Sequence, residues 1–130
     1  MVFVDTSAWF AYFLPTDREH QRVRECFHSG NGPLVTTDFC IDETLTLLVF
    51  RGERRRALEA GHAFFEANIA QLHNVTANQV SRSWILFKQH AAASWSFTDC
   101  TSKVVIDDLG IATAIALDNH FRQFGVAVLP

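Results

Sequence analysis

The sequence predicts an α/β protein: a three-layer α/β/α sandwich with a central parallel sheet. Short apolar runs alternate with longer helix-forming segments along the whole chain. The run from Met1 to Val4 is apolar at every position, as in a strand that is buried on both faces of a sheet. Strands that alternate with helices imply right-handed crossovers, which place helices on both sides of a parallel sheet.

Five short segments are predicted to be strands. The first stops at Asp5, and Gly110 breaks the chain before the fourth. The strands are expected at residues 1–4, 34–36, 71–75, 111–115 and 126–129.

Helices are predicted between these strands, with capping residues and helix breakers at their ends. Thr6 or Ser7 can cap the first helix, which Pro15 ends. Residues 16–19 (TDRE) have the form of a capping box for a second helix that runs to Ser29. Further helices are expected from Thr37 or Asp38 to before Gly52, over 54–69, over 77–90, from near Thr98 to before Gly110, and from Asp118 to before Gly125.

Size and composition fit one domain that spans residues 1–130. The chain is 48% hydrophobic and 19% charged, with 12 Phe and 3 Trp, so it can bury an apolar core and disorder is not expected. The formal net charge of -3 excludes a broadly basic surface. A polyanionic partner must therefore be held by a local basic patch or through a metal ion.

The cysteine, histidine and hydropathy patterns exclude several classes of protein. Cys26, Cys40 and Cys100 are far apart and form no CxxC pair, which favours a reducing compartment. The six histidines include no HxxxH or HExxH pair, so zinc is not expected. No apolar run has the length of a membrane span, and no basic signal segment precedes the first strand. The sequence therefore predicts a soluble, cytoplasmic protein with no membrane association.

Four carboxylates are predicted to meet at one edge of the sheet. Asp5 and Asp118 follow predicted strands, whereas Glu43 and Asp99 fall in the first turns of predicted helices. Ligands of parallel α/β sheets bind beyond the carboxyl ends of the strands, so these four side chains form the candidate site. Like charges that crowd one cleft are usually stabilised by a divalent cation.

Three of these acids also have a purely structural interpretation, which the sequence leaves open. Asp5 and Asp118 could simply cap the helices that follow them. Asp99 could be the last member of a capping box that begins at Ser96.

Glu43 differs, because its helix face is otherwise apolar. Phe39 and Leu47 are four residues away on either side, and Phe50 is expected on the same face. A carboxylate on such a face is costly unless it is paired or binds a metal ion. This pattern favours a functional role for Glu43.

Hard cations such as Mg²⁺ or Mn²⁺ suit a site of three or four acids, because they prefer oxygen ligands and keep several waters. Such ions activate water and stabilise the leaving oxygen of a phosphodiester. Asp5 and Asp99 are the predicted direct ligands. Glu43 and Asp118 are predicted to bind through water or to position the nucleophile.

The basic cluster from Arg51 to Arg56 has two interpretations. A solvated turn between helices is favoured, and the alternative is a patch that contacts phosphates beside the cleft. His120, next to Asp118 in the sequence, is favoured as an ordinary surface histidine, and contact with a substrate is the alternative.

Together these segments resemble PIN-domain ribonucleases and, within them, the VapC-type toxins of toxin–antitoxin pairs. The resemblance covers essentially the whole chain, and the order and spacing of its motifs are more specific than any one of them. It is carried by Asp5-Thr6-Ser7 after the first strand, Glu43 in an apolar helix, Thr98-Asp99, and residues 117–125 (LDNHFRQFG).

This resemblance implies a PIN-like fold and a metal-dependent endoribonuclease that acts as the toxin of a type II pair. It implies Mg²⁺ or Mn²⁺, an RNA substrate, a cognate antitoxin that inhibits the protein, and a homodimer. We expect aromatic residues of the first helix, including Trp9 and Phe13, to line the antitoxin or dimer surface. The acidic site carried over from the family consists of Asp5, Glu43, Asp99 and Asp118. One departure is Ala116-Leu117 before Asp118, where relatives often place a Thr or Ser that helps hold the site.

Three other classes compete with this interpretation. A phosphotransferase of the haloacid-dehalogenase type needs a second Asp two residues after the first, and Ser7 stands there. A phosphoreceiver domain could use Lys103, but it would need paired acids that do not follow Asp5. The third class is a catalytically inactive PIN-like module for protein binding or regulation, which the presence of all four acids disfavours.

Overall fold

A computed structural model describes all residues from 1 to 130 and contains one five-stranded sheet. The strand order is β3-β2-β1-β4-β5, and every neighbouring pair is parallel. All carboxyl ends of the strands therefore meet at the same edge, with β1 in the centre. The strands are β1 (Val2–Val4), β2 (Leu34–Thr37), β3 (Gln71–His73), β4 (Thr113–Ile115) and β5 (Ala127–Leu129).

Six α-helices connect these strands, and none is long and apolar enough to cross a lipid bilayer. Two 3₁₀ segments, Ala91–Ala93 and Asn119–Phe124, complete the secondary structure. The α-helices are α1 (Thr6–Phe13), α2 (His20–His28), α3 (Asp38–Phe50), α4 (Arg54–Phe65), α5 (Ala77–Gln89) and α6 (Phe97–Leu109).

Two hydrophobic cores lie on opposite faces of the sheet. Val2 and Val4 point into one core and Phe3 into the other, as the alternation of a strand requires. The first core is closed by residues of α1 to α4, and the second by residues of α6 and the 3₁₀ helix Asn119–Phe124, with α5 packed against it. Helices therefore cover both faces, which confirms the predicted three-layer α/β/α sandwich.

Two helix starts differ from the sequence prediction. Asp5, rather than Thr6 or Ser7, is the N-cap of α1, as the structural interpretation of this acid had it. The expected capping box at residues 16–19 does not form, because Oδ1 of Asp17 accepts the backbone N–H of Glu19 in a local turn. As a result, α2 begins only at His20.

The end of α4 also differs from the prediction. The helix stops at Phe65 rather than at Ile69, and Asn68 has a positive φ of 50°. The backbone N–H groups of Ala67 and Ile69 bond back to the carbonyls of His62 and Ala63, which closes the helix end.

The expectation that Trp9 and Phe13 line an external surface is wrong. Trp9 is fully buried, and its indole N–H donates a hydrogen bond of 3.0 Å to Oγ1 of Thr36 in β2. The rings of Phe27 and Phe64 pack edge-on against Trp9 from α2 and α4. These two helices cover α1, so Trp9 and Phe13 are core residues.

Candidate active site

The four predicted acids line a single cleft at the carboxyl edge of the sheet. Its volume is about 470 Å³, which is large enough for part of a nucleotide chain. Only Phe10 and Leu47 contribute apolar side chains to the lining. The acids of the cleft are Asp5, Glu43, Asp99 and Asp118, as predicted, together with Asp17.

Asp5 is a helix cap and a cleft residue at the same time. The carboxylate is buried, and Oδ2 accepts hydrogen bonds from the backbone N–H of Ser7 (3.1 Å) and from its hydroxyl (2.6 Å). No group of the chain donates to the other oxygen, Oδ1. Burial raises the pKa of Asp5 to about 7, and the negative charges of Asp99 and Glu43 add to the rise.

Asp99 repeats this arrangement in the same cleft. It is buried in the first turn of α6, where it forms the expected capping box with Ser96. Its Oδ2 accepts the backbone N–H of Ser96 and a hydrogen bond from Nδ1 of His120, both at 2.9 Å. Its Oδ1 is left without a donor from the chain, like Oδ1 of Asp5.

Asp118 and His120 lie beside Asp99. Asp118 follows β4 and begins the 3₁₀ helix, but its side chain makes no capping hydrogen bond and is half exposed. Oδ1 of Asp118 is 3.6 Å from Nδ1 of His120. Ligand atoms of Asp99, Asp118 and His120 all lie within 4.8 Å of one another, so His120 belongs to the site rather than to the general surface.

Glu43 reaches the cleft from α3, together with Leu47 and Arg51 at successive intervals of four residues. The Glu43 carboxylate is half-buried and has no hydrogen-bond or ion-pair partner in the chain. The predicted apolar face is only partly observed, because Phe50 is 83% exposed. Phe50 is the last residue of α3 and lies beyond the packed part of the helix.

A hydroxyl does reach the segment before Asp118, although Ala116-Leu117 provide none. Oγ of Ser7 accepts the backbone N–H of Leu117 at 3.0 Å while it donates to Asp5. Ser7 therefore connects the start of α1 with the chain that leads to Asp118, one residue further on.

Asp17 was missed as a cleft residue by the sequence analysis. Its position in an apparent capping box hid it, and the turn that replaces this box brings it to the cleft. Arg51 also lines the cleft, although the sequence favours a solvated turn for it. A possible signal was its spacing of eight residues from Glu43, which places both on one helix face.

The residues of the cleft fit a divalent cation. Five carboxylates face two basic side chains, Arg51 and His120. Oδ1 of Asp5 and Oδ1 of Asp99 are free of chain donors, and the hydroxyl of Thr6 is buried without a hydrogen-bond partner. Hard oxygen atoms in an excess of negative charge are the donor set that Mg²⁺ or Mn²⁺ requires.

The parallel sheet and the five carboxylates at its carboxyl edge are the arrangement expected of a PIN domain. Residues 2–127 match the PIN domain family, and the chain belongs to it. It is 32% identical to the 23S rRNA-specific endonuclease VapC20 of Mycobacterium tuberculosis, from strains CDC 1551 / Oshkosh and ATCC 25618 / H37Rv, over 96% of this chain and 95% of the relative.

Solved structures share the fold, VapC20 and FitAcB among them. The crystal structure of M. tuberculosis VapC20, described as a sarcin-ricin loop cleaving toxin, superposes with a TM-score of 0.92 over all of both chains. FitAcB from Neisseria gonorrhoeae is only 12% identical, with a TM-score of 0.72 over 100% of this chain and 97% of its own. The second likeness supports the fold alone.

Proposed function

We propose that this protein is a metal-dependent endoribonuclease that hydrolyses RNA phosphodiester bonds and acts as the toxin of a type II toxin–antitoxin pair. The observation that carries the proposal is the convergence of Asp5, Glu43, Asp99 and Asp118 on one cleft, although they are far apart in sequence. The 32% identity to an endonuclease over nearly the whole chain supports the same reaction.

In this proposal Asp5 and Asp99 would hold Mg²⁺, or Mn²⁺ in its place, and Asp118 and Glu43 would be further ligands or water acceptors. The ion supplies a more acidic water and charge stabilisation at the leaving oxygen.

Neighbouring residues of the chain fix the orientation of the ligating carboxylates. Ser7 fixes the carboxylate plane of Asp5, and His120 with Ser96 fixes that of Asp99. Glu43 has no partner in the chain, so its oxygens are free to accept hydrogen bonds from the attacking water and to orient it. Ligands held in this way need little rearrangement during the reaction, which is where most of the catalytic benefit of a preorganised site arises.

Substrate and partners are proposed from the relatives. VapC20 is described as specific for 23S rRNA and as cleaving the sarcin-ricin loop, so a ribosomal RNA hairpin is the proposed substrate here. We further propose a cognate antitoxin and a homodimer, with residues 1–130 forming one PIN-like domain.

The test is a cleavage assay on a synthetic hairpin with the sarcin-ricin loop sequence. Purified protein in Mg²⁺ is expected to cut the hairpin, and neither protein in EDTA nor the Asp5→Asn variant is expected to cut it. Asp107→Asn is the matched control, because Asp107 is an exposed Asp of α6 outside the cleft. Equal cleavage by wild type and Asp5→Asn would refute the proposal and favour a PIN-like module without catalysis.

A further inference from the structure

We propose that Arg51 binds an RNA phosphate that flanks the scissile one, and that the ring of Phe10 holds its guanidinium at the rim of the cleft. This inference rests on the proposed nuclease function and extends it to the way in which an acidic cleft retains a polyanion.

Arg51 differs from the other arginines around it. It lines the acidic cleft, whereas Arg54, Arg55 and Arg56 lie on α4 outside the lining, and the last two form ion pairs with Glu59. No carboxylate lies within ion-pair distance of Arg51, although five line the same cleft. Its charge and its N–H donors are therefore available to a ligand.

Phe10 restricts where this charge can lie. The guanidinium carbon of Arg51 is 5.5 Å from the centroid of the Phe10 ring, which is within the range of a cation–π contact. A guanidinium in such a contact keeps N–H donors that can bind a phosphate through two parallel hydrogen bonds. A restrained arginine also loses less conformational freedom on binding than a free one.

The position of Arg51 fits a flanking phosphate rather than the scissile one. Glu43, Leu47 and Arg51 follow one face of α3, and two helical turns separate the first from the last, about 12 Å along the axis. A strand with its scissile bond at the carboxylates therefore has another part of its backbone beside Arg51. The carboxylates repel that backbone, so a fixed cation at the rim is needed to hold it.

A purely structural role is the competing explanation. Arg51 is the C-cap of α3, and a positive charge at a helix C-terminus stabilises the helix. That role changes the melting temperature but not the dependence of RNA affinity on salt, so the two explanations are separable.

The experiment measures the binding of a fluorescent RNA hairpin, the one used in the cleavage assay, to full-length protein. Ca²⁺ replaces Mg²⁺, and the RNA is checked on a gel to be intact. Wild type, Arg51→Gln, Arg51→Lys and Arg55→Gln are titrated at several salt concentrations, and their melting temperatures are recorded. Arg55→Gln is the matched control, because it removes an equal charge that is exposed and paired with Glu59.

Arg51→Gln is expected to weaken RNA binding severalfold. It is also expected to make the plot of log binding constant against log salt concentration less steep by about 0.7, the value of one phosphate contact on a single strand. Arg51→Lys is expected to keep the slope and lose part of the affinity. In the cleavage assay Arg51→Gln is expected to raise KM more than it lowers kcat.

An unchanged slope in Arg51→Gln, or a loss no larger than that of Arg55→Gln, would overturn the inference and leave Arg51 as a helix-terminal charge. That result leaves the nuclease proposal intact, provided the wild type cleaves RNA in Mg²⁺. Failure of the wild type to cleave would instead count against the proposed function itself.

Discussion

The hydroxyl of Ser7 donates a hydrogen bond of 2.6 Å to Oδ2 of Asp5. The same oxygen of Ser7 accepts the N–H of Leu117, and Asp118 is the next residue. One small side chain therefore fixes the orientation of a buried carboxylate and connects it to a second acid of the cleft. It also leaves Oδ1 of Asp5 as the atom that faces a ligand.

Replacing Ser7 with Ala is expected to weaken metal binding without unfolding the protein. Partners that orient a ligating carboxylate typically contribute about 10- to 100-fold in metal affinity or activity. Calorimetric titration of Mn²⁺ into wild type and Ser7→Ala measures this change. Ser81→Ala, at an exposed site on α5, is the control. Equal Mn²⁺ affinity in Ser7→Ala and wild type would show that the hydrogen bond from Ser7 does not contribute to metal binding.

Divalent cations are expected to raise the melting temperature of the wild type. Crowded carboxylates destabilise the metal-free fold, and an ion that binds only the folded state adds stability by RT ln(1 + [L]/Kd). The unfolding free energy is expected to increase by about 2.7 kcal/mol when the ion concentration is 100 times Kd. Thermal melts in EDTA and in increasing Mg²⁺ measure it, and Asp5→Asn is expected to show a smaller rise. A flat response in the wild type would contradict a metal site made of these acids.

The pH dependence of stability is expected to reveal the contact between α5 and α6. The Arg82 guanidinium and the Gln79 amide hold the pKa of Asp108 at about 2, below the ordinary value of 3.8. A carboxyl with a lowered folded pKa stabilises the protein above its unfolded pKa, and this contribution is lost as the pH falls from about 4 to about 2. Asp108→Asn is therefore expected to have a lower melting temperature than the wild type at pH 7. This difference in melting temperature is expected to narrow as the pH falls from about 4 to about 2.

The neighbouring carboxyl provides the control for this measurement. Asp107 pairs with Lys103 on its own helix and is exposed, so Asp107→Asn is expected to change stability little. A constant difference in melting temperature between wild type and Asp108→Asn from pH 7 to about pH 2.5 would contradict a lowered pKa of Asp108.

Two tryptophans are expected to respond very differently to truncation. Trp9 is fully buried and hydrogen-bonded to Thr36, so Trp9→Ala is expected to cost about 3 to 5 kcal/mol of unfolding free energy. Trp84 is 51% exposed on α5, and Trp84→Ala is expected to cost much less. Urea unfolding of both variants measures the difference. Similar costs would mean that the side chain of Trp9 contributes less to the core than its burial indicates.

The fold was predictable because its signals are local. The apolar run before Asp5 marks a strand buried on both faces, and the acids that follow strands or begin helices mark the carboxyl edge. Parallel pairing then brings these acids to one side of the sheet. The strand order was not predictable in the same way, because β1 lies between β2 and β4 and hydropathy does not encode this order.

The details of the site depend on contacts between residues far apart in the chain. The bond from Leu117 to Ser7 spans 110 residues, and the bond from His120 to Asp99 spans 21. No spacing rule connects such positions. Burial of Trp9 was misjudged for the same reason, since the helices that cover it, α2 and α4, are separated from each other by β2 and α3.

The central position of β1 has a consequence for protein synthesis. The strand β4, which pairs with the other side of β1, and Asp118 after it are translated more than a hundred residues after Asp5. A nascent chain shorter than this therefore lacks both a complete sheet and a complete set of carboxylates. If the protein is the ribonuclease proposed above, the time needed to translate this interval separates the start of synthesis from the onset of RNA cleavage.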